Sequence, residues 1–248
     1  DIMNTKDPIL VTGGAGYIGA HACKALAAAG YTPVTYDNMV YGHEAAVKWG
    51  PLEVGDISDL ERLEGVMRHY DPIAVMHFAA HTIVPESVAD PLKYYRNNTC
   101  SSRTLLEVAA RHKVRNFVFS STAAVYGIPE GGGASEDSPT QPINAYGTSK
   151  LMTEWMLRDL AAAGGPSYVA LRYFNVFGPH QDPNSEYAAV IPKFIKAFLT
   201  ETQPTVYGDG EQSRDFTYVD DIVEGIIRVA QKPPVQDPSW SGENPNPS

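Results

Sequence analysis

Residues 8–30 read PILVTGGAGYIGAHACKALAAAG, and few segments leave a chain so little conformational choice. The β-branched apolar run PILV enters a turn holding Gly13, Gly16 and Gly19, and a helical pattern of small and apolar residues leaves it. Glycine lets a backbone turn tightly and lets a ligand come close, while the free amides that open the next helix can face an anion. Strand, turn and helix in that order point to a pyrophosphate seat at Gly13, Gly16 and Gly19. A tight turn without a ligand is the plainer alternative.

The rest of the chain repeats that arrangement. Strand-like runs TPVTYDN, PLEVGD, IAVMHFAA, RNFVFSS and SYVALRYF alternate with the helical patterns DLERLEGVMRHY, PLKYYRNNTCSSRTLLEVAARHK and AYGTSKLMTEWMLRDLAAAG. Alternation of this kind predicts an α/β fold: a doubly wound parallel sheet with helices on both faces and ligands beyond the carboxyl ends of its strands. Residues 1–174 carry the pattern and form the expected dinucleotide-binding domain. Next come a loop, GPHQDPNSEY, a helix over 189–199, a short strand over 204–207 and a helix over 219–232 that returns to the first domain. Residues 175–232 therefore read as a small, incomplete substrate-binding region. Residues 233–248, rich in Pro, Ser and Asn, read as a linker or mobile tail.

Composition excludes several partners. Asp and Glu total 29 against 19 Lys and Arg, a formal charge of −10, which leaves no broad basic surface for nucleic acid. A buried phosphate site is still open to such a chain, because it depends on local amides and single arginines. Two cysteines, Cys23 and Cys100, suit a reduced, intracellular setting. His77 and His81 lack the further ligands, at suitable spacing, that a metal site needs. No apolar stretch reaches membrane-spanning length and the N-terminus lacks the apolar core of a signal peptide, so a cytoplasmic location is expected.

Single residues at strand ends carry the chemistry. Asp37, closing the second strand in TYDN, can accept hydrogen bonds from the ribose hydroxyls of an adenosine and repel an added 2′-phosphate, which favours NAD over NADP; a solvated turn Asp is the alternative. Asp56 in VGDIS either faces the adenine edge or caps the next helix. Ala79 and Ala80 in HFAAH are small enough to let a dinucleotide pass. FSSTAAVYG puts Ser120, Ser121 and Thr122 at the carboxyl edge where a substrate would lie. In NAYGTSKL, Tyr146 and Lys150 stand one helical turn apart, a spacing that is weak evidence alone. A phenol with a pKa of about 10 ionises near neutrality only beside positive charge, which Lys150 can supply while also reaching a cofactor ribose. Thr122 can bridge the substrate oxygen and the tyrosine oxygen. Three elements then converge on one crevice.

Together VTGGAGYIG, the DN after the second strand, HFAA, ESVADPLKYYRNN, FSSTAAVYG, YGTSK, LRYFNVFGP and SRDFTYVDD resemble the extended short-chain dehydrogenase/reductase family, close to its nucleotide-sugar 4-epimerases. The resemblance runs from Pro8 to about Lys232 and implies a Rossmann-type fold. It implies Tyr146 as catalytic acid/base, Lys150 as its activator and Thr122 as a substrate-side donor. It places Gly13, Gly16, Tyr17, Ile18, Asp37, Asn38, Asp56, Ile57, Phe78, Ala79, Ala80, Asn97, Lys150 and Tyr173 around NAD, and Asn175 and Arg214 on the nucleotide diphosphate. The implied reaction is inversion at C4 of a UDP-hexose through a transient 4-keto sugar, with UDP-glucose and UDP-galactose ranked ahead of UDP-glucuronate and UDP-N-acetylhexosamine.

Related 4,6-dehydratases carry an Asp-Glu pair after that threonine; Ala123 and Ala124 stand there in this chain, and methyl groups transfer no protons. Net oxidoreduction and non-catalytic NAD or nucleotide binding complete the alternatives. Ser101 replaces the glycine usual in relatives after the paired asparagines, which implies a local adjustment near the cofactor. The resemblance further implies a sequence that stops before the part completing the sugar-nucleotide lobe, and a homodimer contact through helices 91–112 and 145–163.

Overall fold

The computed structural model describes residues 7–182, 190–206 and 208–232. Six strands form one wholly parallel sheet: β1 (Pro8–Thr12), β2 (Thr32–Asp37), β3 (Leu52–Val54), β4 (Ala74–His77), β5 (Asn116–Thr122) and β6 (Ser167–Tyr173), in the order β3-β2-β1-β4-β5-β6. The chain steps outward from β1 to β3, then returns to lay β4 against the free side of β1. Connections from β1 and β4 leave in opposite directions at that reversal and open a crevice above the two carboxyl ends.

Strand alternation sends successive side chains to opposite faces and divides the core into two layers. Leu10, Val34, Val75, Phe117 and Phe119 pack under helices α2 (Leu60–Tyr70), α5 (Ser101–Arg111) and α6 (Ala145–Ala162) through Leu63, Met67, Leu105 and Leu157. Ile9, Val11, Ala74, Met76 and Val118 face the other way, against Cys23 and Leu26 of α1 (Tyr17–Ala28) and Ile226 and Ala230 of α8 (Val219–Gln231). A helix from the end of the described chain thus packs into the core beneath the main sheet.

The predicted long helix over 91–112 is segmented. It follows the short helix α3 (Val84–Ala89) and consists of α4 (Pro91–Tyr94), a π-helical stretch over Tyr95–Cys100, and α5. Ser101 at this junction is buried, and its hydroxyl donates to the carbonyl of Arg96 at 3.1 Å. The serine is therefore accommodated by the helix's own backbone.

Beyond β6, β7 (Asn175–Phe177) and β8 (Phe216–Tyr218) form a separate two-stranded parallel pair, and α7 (Val190–Leu199) lies between them in sequence. The strand expected over 204–207 is not formed at 204–206, which pair with no other strand; position 207 lies outside the described residues. The loop's β-pairing falls instead to FTY and NVF, whose aromatic rings pack together: Phe177 lies 6.3 Å from Phe216 and 5.5 Å from Tyr218. Residues 233–248, read as a tail, also lie outside the described residues.

Candidate active site

The glycine turn is shaped by contacts that exclude side chains. Gly13 has φ +70°, and a Cβ there would lie 2.6 Å from the amide nitrogen of Ala79; one on Gly19 would lie 2.2 Å from the carbonyl oxygen of Gly13. Only glycine fits either place. The turn is thereby pressed between the ends of β1 and β4, with α1 starting directly behind it. No side chain caps α1, whereas Asp59, Asp90 and Asn144 cap α2, α4 and α6. Its first amides are free of a side-chain acceptor and form an anion seat beside Gly13 and Gly16. This cradle, which a Cβ would fill, fits a dinucleotide pyrophosphate.

Acidic side chains brace the carboxyl ends of β2 and β3. Asp37 is buried, and its two oxygens accept from the amides of Ala15 at 3.1 Å and Met39 at 2.9 Å, which ties β2 to the glycine turn. Asp56 accepts from Ser58 and from the Asn38 side chain, the latter at 2.8 Å. Burial pushes the Asp56 carboxyl up, but those hydrogen bonds outweigh it and hold the group below the usual range. Asp56 does not cap the next helix, the role left open by its sequence; Asp59 caps α2 by accepting from Arg62 at 3.0 Å. Ile57 is buried in the core, and Phe78, Ala79 and Ala80 are half-buried on the β4 side of the crevice.

At the end of β5 the catalytic candidates assemble. Asn144 caps α6 through the amide of Gly147, at 2.9 Å, so that Tyr146 falls in the first turn and Lys150 in the second. Lys150 is buried, and its ammonium donates to the carbonyl of Ser120 at 2.8 Å while standing 5.0 Å from the ring centre of Phe119. Thr122 faces Tyr146 closely enough for its hydroxyl to favour the ionised phenol. Four helical residues rise about 6 Å and two strand residues about 6.6 Å, so an α6 antiparallel to β5 brings Tyr146 to Thr122 and Lys150 to Ser120 simultaneously. The backbone amide of Ala124 donates to Thr122 Oγ1 at 3.1 Å, which leaves the threonine proton for the tyrosine oxygen.

Burial pushes the Tyr146 phenol up, and the Thr122 hydroxyl pulls in the opposite direction. The Lys150 amine is held down at about 7 by burial, partly offset by Glu154. Ser121, grouped with Ser120 and Thr122 at the substrate edge, instead turns to the opposite face and donates to Glu154, which Arg172 clamps with a bond of 2.7 Å. The cause is the two-residue period of the strand.

Other expected site residues are more dispersed. Among the described residues the buried hydroxyls of Tyr17 and Tyr173 find no hydrogen-bond partner, and burial pushes the Tyr17 phenol up to about 12. Two such orphaned donors suit a ligand rich in oxygen. Asn97 is half-buried and donates to the Asn98 side chain at 2.9 Å. Asn175 and Arg214 are exposed beyond the main sheet; Asn175 donates to the carbonyl of Asp215 at 3.1 Å and Arg214 to that of Ser213 at 2.7 Å. Among the described residues no three His, Cys, Asp or Glu side chains gather to hold a metal ion, and no helix is long and apolar enough to cross a membrane.

Sequence reasoning missed the polar layer beneath the site. Asn98 is buried; its carboxamide accepts from the amide of His81 at 2.8 Å and donates to the carbonyl of His81 at 3.0 Å and to Ser149 Oγ at 3.1 Å. The signal was present: Asn98 and Ser102 on one helical pattern, and Ser149 and Thr153 on another, make matching polar pairs at four-residue spacing on faces that are otherwise apolar.

Residues 9–239 match the NAD dependent epimerase/dehydratase family. A UDP-glucose 4-epimerase of Azospirillum brasilense is 47% identical over 232 residues, covering 88% of this chain and 67% of the relative. Among solved structures, UDP-glucose 4-epimerase from Brucella ovis in complex with NAD is 42% identical with a TM-score of 0.83, covering 89% of this chain and 72% of that one. UDP-N-acetylglucosamine 4-epimerase from Methanobrevibacter ruminantium M1, in complex with UDP-N-acetylmuramic acid, is 39% identical with a TM-score of 0.87, covering 92% and 74%. With a family model matched over residues 9–239 and relatives up to 47% identical, the chain belongs to the NAD dependent epimerase/dehydratase family.

Proposed function

We propose that this protein inverts the configuration at C4 of a UDP-hexose, with UDP-glucose and UDP-galactose as the preferred pair. The observation that carries the reading is the Thr122, Tyr146 and Lys150 constellation at the end of β5, followed by Ala123 and Ala124 rather than by carboxylates. One proton must leave the sugar hydroxyl and later return; a dehydration would need further acid/base groups at these two positions. Tyr146 Oη is the group that takes and returns the proton, and Thr122 steadies both it and the substrate oxygen. Lys150 supplies the positive charge that favours the phenolate. NAD, when bound, supplies reversible hydride acceptance, so no oxidant is consumed over a cycle.

In the same reading Gly13, Gly16, Tyr17 and Ile18 hold the pyrophosphate, and Asp37, Asn38, Asp56 and Ile57 the adenosine. Phe78, Ala79, Ala80, Asn97, Lys150 and Tyr173 line the remainder of the NAD site. Asn175 and Arg214 meet the UDP diphosphate, for which a guanidinium has the matching fork. Their exposed positions suit side chains that close on a ligand. Residues 1–174 act as the NAD domain and 175–232 as the nucleotide-sugar region, with α8 returning to the NAD domain. Free thiols at Cys23 and Cys100 support a cytoplasmic setting.

A homodimer through the helices at 91–112 and 145–163 is part of the proposal, supported by Leu92 at 70% and Trp155 at 46% exposure. Light scattering checks it, and a monomer across the working concentrations rejects it. The function itself is tested by incubating the protein with NAD and a panel of UDP-glucose, UDP-galactose, UDP-glucuronate and UDP-N-acetylglucosamine. An isomer of unchanged mass is expected first with the glucose and galactose pair. Accumulation of NADH in proportion to substrate would replace epimerisation with net oxidation, and no product from any sugar would reject both.

A further inference from the structure

Beneath the proposed site runs a chain of hydrogen bonds that the reaction does not itself require. Thr12, the residue before the glycine turn, stands 2.6 Å from His77 Nδ1; His77 Nε2 stands 2.8 Å from Ser102 Oγ; and Ser102 donates to the carbonyl of Asn98 at 2.5 Å. The Asn98 carboxamide donates to Ser149 Oγ at 3.1 Å, and Ser149 donates to the carbonyl of Tyr146 at 2.8 Å. Because the Ser102 proton goes to Asn98, His77 must donate from Nε2 and accept at Nδ1 from Thr12. Every link then points the same way. Thr12, His77, Ser102, Asn98 and Ser149 are each no more than 2% exposed.

Strand register explains how they meet. Thr12, His77 and Phe119 are lateral partners across β1, β4 and β5. The His77 ring lies nearly parallel to Phe119, with centroids 5.6 Å apart, and the Lys150 ammonium stands over that same Phe119 ring. Apolar residues would fill this row without needing five matched polar partners, so the polar chain specifies position more than it adds stability.

We propose that His77 is a positioning residue which, through Ser102, Asn98 and Ser149, fixes the helix of Tyr146 and Lys150 relative to the glycine turn. Burial holds the imidazole down at about 3, so it stays neutral throughout the working pH range, and the partners at its two nitrogens set its tautomer. The inference rests on the epimerase reading for its catalytic consequence but not for its structural one.

The test compares His77→Phe, which keeps ring volume and stacking, with His77→Gln, which restores a donor and an acceptor. With Tyr146 and Lys150 displaced but the substrate pocket intact, His77→Phe should lower kcat about tenfold or more, leave KM and bound NAD within about twofold, and be largely rescued in His77→Gln. A second readout needs no turnover: the tyrosinate absorbance of Tyr146, taken as the difference from Tyr146→Phe. The groups acting on this pair are Thr122 from β5, Lys150 and Glu154 on α6, and His77 from β4. Loosening the helix from β5 should raise the Tyr146 titration in His77→Phe by about half a unit or more.

If His77→Phe does not fold, Ser102→Ala carries the same two measurements with the imidazole in place. Unchanged kcat together with an unchanged tyrosine titration overturns the proposal, as does equal loss of kcat in the Phe and Gln variants. Should the unsubstituted protein form no isomer from any UDP-hexose, the epimerase reading fails and the titration alone decides the positioning role.

Discussion

Burial pushes the Tyr146 phenol up and so keeps it protonated in the unliganded chain, with the neighbouring Thr122 hydroxyl acting in the opposite direction. The proton-transfer role proposed for it predicts that Tyr146→Phe loses about 10²- to 10⁴-fold in kcat while retaining NAD, measured by isomer formation and by the cofactor absorbance of purified protein. His77 makes a separate prediction. The unfolded chain takes up this proton near pH 6.5, whereas the folded imidazole is held down at about 3 by burial. Between those values the unfolded state binds more protons, so this group's contribution to stability is complete above about 6.5 and falls by about 1.4 kcal/mol per pH unit as pH drops toward 3. Urea unfolding at stepped pH should show that acid limb, and His77→Gln should flatten it. Sequence allowed His77 to be read as structural rather than metal-binding; it could not show that both nitrogens are held by Thr12 and Ser102, residues 65 and 25 positions away.

Two short elements set the site's dimensions. In the glycine turn, a methyl group on Gly13 would meet the backbone of Ala79, which cannot retreat without shifting β4. Gly13→Ala should therefore lose bound NAD before it loses the fold, with circular dichroism near that of the parent and a cofactor content reduced about tenfold or more. The π-helical stretch over Tyr95–Cys100 places Asn98 between the β4 loop and α6. Replacing Asn98 by Ala leaves the His81 amide and carbonyl and the Ser149 hydroxyl without this partner. A loss of about 2–4 kcal/mol is expected, visible as a lower urea midpoint at unchanged slope. Nothing in the periodicity of PLKYYRNNTCSSRTLLEVAARHK signals the π-helix, because that segment reads as one continuous helix. The extra residue per turn is decided by what the asparagine reaches outside its own helix.

At the scale of the molecule, the boundary near residue 174 separates strands cleanly but not packing. Ile226 and Ala230 of α8 are fully buried against Val11 and Leu26, although the two-stranded β7–β8 unit comes between the main sheet and that return along the chain. Ile226→Ala should destabilise the whole chain by about 2–5 kcal/mol in a single unfolding transition, seen alike by tryptophan fluorescence and by far-ultraviolet circular dichroism. Two separate transitions would show that α8 is only loosely attached.

Residue order alone made the parallel α/β sheet and the turn at Gly13, Gly16 and Gly19 legible, because strand alternation and glycine's missing side chain are local properties. Packing between distant elements settled that Ser121 belongs to Glu154, that Asp56 braces Asn38 instead of capping α2, and that a buried chain from Thr12 to Ser149 underlies Tyr146 and Lys150. Those outcomes depend on which polar groups, distant along the chain, meet where water is excluded, and there each donor must find an acceptor.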